Sequence, residues 1–340
     1  MTRSLITGIS GFVASHLADL LIDKGEEVFG TYRWNEDLSR IKHAKDKITL
    51  IPANLNDLSS MIKAVECRPD YIYHLAAESY VSDSFAFPHE AISVNTLGTL
   101  NLLEAVRMVR EQNIHGANFQ EAKKQLEKLG KTMWDPVIQI CSSSEVYGLV
   151  EEKDIPIDED CRFNPSNPYA VGKVGADMLG LLYFTNYGIK TIRTRMFTHT
   201  GPRRTMMSAE CAFAKQIAEI EKGYKELPIL KHGNLDSIRT WADVRDAVRA
   251  YYELVRKCKP GEVYNIGGNT TKSIEEMLDY LISLSSVPIS KEEDPKLLRP
   301  YDVTLQIPDC SKFLKETGWK PEYSFETTMT DLLNYWRENV

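Results

Sequence analysis

The first fourteen residues constrain this chain more than any other stretch. Ser4-Leu5-Ile6-Thr7 is short, apolar and strand-like. It runs into Gly8-Ile9-Ser10-Gly11-Phe12-Val13-Ala14, and Ser15–Lys24 then has the spacing of an amphipathic helix. Gly8 permits a tight turn, Gly11 lets backbone approach an anionic group, and Ala14 is small enough for close helix–strand packing. The amides at the helix start face that group. Alone, such glycines mark only a turn; between a strand and a helix they mark a dinucleotide-binding crossover.

The pattern that follows repeats that unit. Strand-like runs at Glu27–Thr31, Thr49–Pro52, Tyr71–Leu75 and Val137–Cys141 alternate with amphipathic stretches such as Leu58–Cys67 and Ala91–Arg110. Thr191–Met196 and Glu262–Ile266 read as two further strands. Such alternation predicts an α/β, Rossmann-type, doubly wound parallel sheet. Gln112–Asp135 is polar and lysine-rich and reads as an insertion, a solvated excursion or an oligomer contact, with a surface helix over Phe119–Leu129. Beyond Gly201 the rhythm changes: a helix at Glu210–Lys222, a strand at Pro228–Lys231 and helices at Ser273–Leu284 and Phe325–Glu338 predict a smaller C-terminal α/β substrate lobe. The expected division is residues 1–200 with about 240–268 for the dinucleotide, and 201–239 with 269–340 for the lobe.

Composition removes several classes. A net charge of −7 argues against non-specific nucleic-acid binding, yet leaves room for a phosphorylated small ligand held by a few arginines. No apolar run approaches the roughly 20 residues of a membrane span. Strand-like sequence begins too early for a charged leader and apolar signal core. The six cysteines are scattered without a C-x-x-C pair, so neither a metal site nor a disulfide framework is expected, and a cytoplasmic location is.

The end of the second strand bears on the cofactor. Enzymes that use NAD usually carry an acid there for the ribose 2′-hydroxyl. Here the chain reads Val28-Phe29-Gly30-Thr31-Tyr32-Arg33. Arg33 suits a 2′-phosphate, which favours NADP over NAD. Asn54 can accept from the adenine amine, and Leu75-Ala76-Ala77 would pass close to the cofactor.

Tyr169-Ala170-Val171-Gly172-Lys173 sets a phenol and an ammonium on one helix face. A phenol titrating near pH ~10 is a poor base at neutrality. A nearby cation favours phenolate, and bringing the value to about 7 corresponds to roughly 4 kcal/mol. The Y-x-x-x-K spacing alone is common by chance. Cys141-Ser142-Ser143-Ser144-Glu145-Val146-Tyr147-Gly148 follows the fifth strand, at the sheet edge where such folds bind ligands. Ser143 can share a substrate hydroxyl proton with Tyr169, and Glu145 brings a carboxylate near it. The alternative for Glu145 is a cap or an ion pair.

Together these stretches resemble the extended short-chain dehydrogenase/reductase family over essentially the whole chain. The carriers are Gly8–Ala14, Leu75–Ala77, Asn95 with Gly98-Thr99, Ser142–Gly148 and Tyr169–Lys173. Within it the chain looks most like enzymes acting on GDP-sugars, the GDP-mannose 4,6-dehydratases and the related GDP-4-keto-6-deoxymannose reductases. Ser166–Val171, His199 with Pro202-Arg203-Arg204, Gly233–Arg239, Leu298–Val303 and Thr317–Pro321 support that. The resemblance implies catalysis by Ser143, Glu145, Tyr169 and Lys173. It implies a cofactor held by Thr7, Gly8, Gly11, Phe12, Val13, Arg33, Asn54, Leu55, Leu75, Ala76, Ala77, Tyr169 and Lys173. The GDP-sugar would lie against Ser79, Ser144, Thr198, Lys215, Arg239, Arg299 and Asp302, the two arginines on its diphosphate. No metal is implied; a homodimer or homotetramer is. Asn54 stands where Asp is more usual in the family, and Thr198 where it has Asn.

The leading expectation is a 4,6-dehydratase. Tyr169 with Ser143 would handle the C4 hydroxyl proton, and Glu145 would take the C5 proton and serve the departing C6 hydroxyl. Some dehydratases place an Asp before this Glu; Ser144 stands there, so Glu145 would serve twice. The competing reading is an NADPH-dependent reductase of a GDP-4-keto sugar. GDP-mannose is the default substrate, while Thr198 opens others, such as GDP-N-acetylglucosamine or a GDP-heptose. A UDP-sugar epimerase or decarboxylase fits the C-terminal half less well. A non-catalytic NADP-binding sensor would not need Ser143, Tyr169 and Lys173 together.

Overall fold

The computed structural model describes residues 1–111, 121, 124, 127–128, 133–298 and 303–340. Arg299 and Asp302 lie outside them, as does most of the helix expected over Phe119–Leu129; its described residues Glu121, Lys124, Glu127 and Lys128 are helical and exposed. The chain forms two units. One comprises Met1–Ser142, Asn167–Thr194 and Tyr251–Tyr264, the other Ser143–Ser166, Arg195–Ala250 and Asn265–Val340.

The first unit is built on strands β1 (Arg3–Thr7), β2 (Glu27–Tyr32), β3 (Ile48–Pro52), β4 (Tyr71–His74), β5 (Val137–Cys141) and β6 (Lys190–Met196). They run in the order β3-β2-β1-β4-β5-β6, with Val263–Ile266 beyond β6. The pairings from β3 through β6 are all parallel. The Rossmann arrangement expected from the sequence is therefore present. Strand order reverses between β1 and β4, where Thr7 lies opposite His74. Ligands of open α/β sheets bind beyond the strand ends at such a switch point.

Both sheet faces are covered, which is why these strands read as unbroken apolar runs. Leu5, Ile72, Ile138 and Ile140 pack with Leu102, Leu103 and Val106 of the helix Gly98–Glu111. The single helix expected over Ala91–Arg110 is three pieces: Pro88–Ile92, a π-helical turn at Ser93–Leu97, and Gly98–Glu111. A Cβ on Gly98 would sit 2.8 Å from the Leu55 Cβ, so only glycine lets this helix approach the loop after β3.

In the second unit Ile238–Asp243 pairs antiparallel with Thr270–Ser273 and parallel with Leu305–Gln306. The helices Ala209–Glu221, Ile274–Ser283 and Phe325–Asn339 close over Leu230 and Trp241 through Phe213, Ile217, Met277, Leu281 and Leu332. Ser273 and Glu276 form a reciprocal capping box that starts the second of these helices. The expected helices and the strand near Pro228 are found. The helix Val244–Lys257 and the short strands Thr270–Ser273, Ser290–Glu293 and Leu305–Gln306 were not read from sequence. Among the described residues no helix is long and apolar enough to cross a membrane.

Candidate active site

The glycine turn in the first unit is built as its sequence requires. Gly8 sits at φ +69°, and a Cβ there would meet the Ala76 Cα at 2.9 Å. A side chain at residue 8 would thus push apart the ends of β1 and β4. Gly11 donates its amide to the Gly8 carbonyl at 2.9 Å and precedes the helix Phe12–Asp23, which has no side-chain cap. The amides of that first turn suit an anionic ligand instead.

Thr7 does more than end a strand. Its Oγ1 accepts from the amides of Leu75 and Ala76, at 3.1 and 3.0 Å, and lies 2.9 Å from the His74 Nδ1. With two donors on that oxygen, its proton goes to Nδ1, so Nε2 carries the ring hydrogen. Nε2 faces Thr99 Oγ1 at 3.0 Å, and Thr99 donates to the Asn95 carbonyl at 2.7 Å. The Asn95 side chain in turn holds Glu78 through both its amide and its carbonyl. This relay fixes the loop Leu75–Glu78; the sequence motifs named Thr7, Thr99 and Asn95 but neither His74 nor Glu78.

Arg33 is exposed, and its Nη2 lies 3.5 Å from Glu36, so the guanidinium stays available to a phosphate. Asn54 is exposed; its Oδ1 accepts from the Asn56 amide at 3.0 Å in a turn that leads into the Asp57 cap of the next helix. Leu55 is buried, and its carbonyl accepts from Asn101 at 2.7 Å. Ser79 is exposed.

Tyr169 and Lys173 lie on the helix Pro168–Tyr187. Asn167 caps it, accepting from the Ala170 amide at 2.8 Å, with Pro168 in the first turn. The Asn-Pro pair therefore sets where the helix begins and so where the phenol stands. Asn167→Ala is expected to lower stability by about 1 kcal/mol, read from urea unfolding. Lys173 is buried, its Nζ donating to the Cys141 carbonyl at 2.9 Å and lying 5.8 Å from the Tyr169 ring centre. Burial pulls this ammonium below its ordinary value. This bond ties the helix to the end of β5.

In the second unit, Ser143 opens a single tight turn over Ser144–Tyr147 and accepts from the Glu145 amide at 3.2 Å. Ser144 is buried and donates to Gln306 Oε1 at 2.5 Å, while Gln306 Nε2 donates to Glu145 Oε1 at 3.4 Å. Ser144 thus spends its hydroxyl within the protein, and Gln306, which no sequence motif singled out, joins it to the carboxylate. Tyr147 donates to Asn265 at 2.7 Å and accepts from Arg195 at 3.0 Å, anchoring the end of the turn.

Three further substrate candidates, Thr198, Lys215 and Arg239, lie in this unit. The Thr198 carbonyl accepts from the Ala242 amide at 3.0 Å. Lys215 pairs with Glu219 at 3.6 Å and lies over the Trp336 ring. Arg239 donates to the carbonyls of Val303 and Ile238 at 2.6 and 3.0 Å, which holds its guanidinium beside the last short strand.

Two buried imidazoles carry a consequence for stability. Burial, and then the Lys173 charge, push His74 down to about 3; burial, and then Arg204, push His199 down to about 4. Each is neutral when folded and titrates near 6.5 when unfolded, so the unfolded chain binds more protons as pH falls. Stability is expected to fall between pH about 6.5 and about 4 by about 1.4 kcal/mol per pH unit for each imidazole. His74→Asn should flatten that slope in urea titrations at stepped pH; an unchanged slope would contradict the assignment.

With this geometry established, comparisons with known proteins place the chain. The family model described as GDP-mannose 4,6 dehydratase matches residues 5–332. A GDP-mannose 4,6-dehydratase of Yersinia enterocolitica is 31% identical, over 98% of this chain and 93% of its own length. A GDP-6-deoxy-D-mannose reductase of Pseudomonas aeruginosa is 30% identical, over 99% and 98%. Among solved structures, RMD from Pseudomonas aeruginosa complexed with NADPH superposes with a TM-score of 0.79 and 27% identity, covering both chains completely. The chain belongs to the GDP-mannose 4,6 dehydratase family.

Proposed function

We propose that the protein is a GDP-mannose 4,6-dehydratase that uses NADP, with Tyr169, Lys173, Ser143 and Glu145 acting on one nucleotide sugar. The observation that carries this reading is the Lys173 bond to the Cys141 carbonyl. It fixes the Tyr169 helix to the strand end from which the chain reaches Ser143 in two residues and Glu145 in four. NADP fits the Gly8 turn, the uncapped helix start and the exposed Arg33; when bound it supplies the hydride acceptor at C4 and the donor at C6. Tyr169, supported by the Lys173 charge and by Ser143, takes the C4 hydroxyl proton. The resulting ketone acidifies C5. Glu145 takes the C5 proton and delivers a proton to the C6 hydroxyl, which departs as water. A proton returned to C5 completes the 4-keto-6-deoxy sugar with no net reductant consumed.

A 4-keto-sugar reductase is the second reading, favoured by one observation. Alignment with the Pseudomonas reductase runs over 338 positions, against 371 for the Yersinia dehydratase, so it has fewer gaps. The two separate cleanly in one assay. With GDP-mannose, catalytic NADP⁺ and no reductant, a 4-keto-6-deoxy product is expected. Turnover of a GDP-4-keto sugar that requires stoichiometric NADPH, with GDP-mannose inert, would decide for the reductase.

The assembly we propose is a homodimer through the helices Gly98–Glu111 and Pro168–Tyr187. Val171, Met178 and Leu182 are each more than two-fifths exposed along the second helix, and Met108 is exposed on the first. The spacing of 171, 178 and 182 puts them on one helix face, where solvent contact is unfavourable. Leu182→Lys is expected to convert a dimer to monomer in light scattering. If the wild-type protein is already monomeric, this assembly is wrong.

A further inference from the structure

We propose that Gln306 is a positioning residue that aims the Glu145 carboxylate, an inference that rests on Glu145 being the base assigned above. Gln306 is only 2% exposed. Its backbone is fixed by pairing with Ile238–Asp243, its Cα opposite that of Arg239. The amide lies between two partners, the Ser144 hydroxyl and the Glu145 carboxylate. An ionised carboxylate only accepts, so the amide must turn its N–H toward Glu145, at 3.4 Å, and its oxygen toward Ser144, at 2.5 Å. The carboxylate thereby sets which way the amide faces, Ser144 anchors the amide by donating to its oxygen, and the anchored N–H fixes where the carboxylate oxygen lies. Ser143, accepting from the Glu145 amide, fixes the backbone of that residue.

The lengths of the two bonds divide their roles. The contact with Ser144 is short and buried and locks Gln306. The contact with Glu145 is long for a hydrogen bond and adds little stability; its effect is directional. Proton removal at C5 and delivery at the C6 oxygen require one carboxylate to serve two neighbouring atoms. A misplacement of about 1 Å there costs on the order of 10²-fold in rate. The first proton transfer, at C4, belongs to Tyr169 and does not depend on this aim.

That separation gives the test. Gln306→Met keeps the volume and removes both hydrogen bonds. Stopped-flow mixing of the NADP⁺-loaded variant with GDP-mannose should show reduced nicotinamide forming at the wild-type rate. Water loss should slow about 10- to 10²-fold, with KM unchanged, so that reduced cofactor accumulates in the steady state. Ser144→Ala, which removes the anchor at the amide oxygen, should give a smaller effect of the same kind. Gln306→Glu, which keeps an acceptor for Ser144 but sets a second carboxylate beside Glu145, should give a larger one. Equal slowing of both steps, or of neither, overturns the inference for Gln306. If Glu145→Gln itself loses water at the wild-type rate, the base assignment has failed instead, and the two outcomes are distinct. Should Gln306→Met not fold, Ser144→Ala carries the same comparison.

Discussion

Replacing Tyr169 with phenylalanine is expected to lower kcat by about 10²–10⁴-fold while changing KM for the nucleotide sugar little. The ring stays near the Lys173 Nζ, which is 5.8 Å from its centre, so only the hydroxyl is lost. The cost is kinetic because the phenol matters only as the C4 proton leaves. Lys173→Met should cost a similar factor by a different route. It removes the Lys173 charge that supports phenolate and leaves the Cys141 carbonyl without the donor it has at 2.9 Å. Because burial holds the Lys173 ammonium below its ordinary value, wild-type activity should decline on the alkaline side as pH rises through that lowered value, earlier than an exposed lysine would dictate. Calorimetry with GDP would show whether binding survives in both variants. Near-wild-type kcat in Tyr169→Phe would remove the phenol from the mechanism.

What the sequence made legible were the groups whose chemistry depends on local spacing. Gly8 and Gly11 are read from a turn, Tyr169 and Lys173 from one helical turn, although the contacts that hold them, Ala76 against Gly8 and the Cys141 carbonyl on Lys173, are distant in sequence. Asn167-Pro168 entered the sequence reading only within Ser166–Val171, and the structure shows it to be the cap that sets the phenol's place. Groups that act through distant partners stayed hidden. Gln306 lies 161 residues from Glu145 and 162 from Ser144, on a strand of two residues with no periodicity to betray it. His74 looked like an ordinary strand residue, yet its two ring nitrogens join Thr7 to Thr99 across the sheet. The protein partners of charged residues were equally hidden. Arg239, expected on a diphosphate, and Lys215, expected against the GDP-sugar, also have partners within the second unit. A basic side chain in a motif says nothing about which acids and carbonyls the fold will bring to it.

Glu145→Gln should divide the reaction at its midpoint. The substitution is nearly isosteric and keeps a side-chain acceptor toward Gln306, so folding and cofactor binding should be retained. An amide cannot take the C5 proton, so oxidation at C4 should proceed and water loss should stop. On mixing with GDP-mannose, the variant is expected to show a single partial rise in the absorbance of reduced nicotinamide, with no 4-keto-6-deoxy product and no exchange of solvent deuterium into C5. Losses of about 10²–10⁴-fold are the scale for removing a general base. The wild-type protein should show the same rise only transiently, because reduced cofactor is consumed at C6. Two results would contradict this account. Product at the wild-type rate would mean another group deprotonates C5. Absence of the initial rise would mean Glu145 is needed already at C4, leaving no separate base for the second half. The contrast with Tyr169→Phe, in which neither the rise nor the product should appear, locates each proton transfer on its own residue.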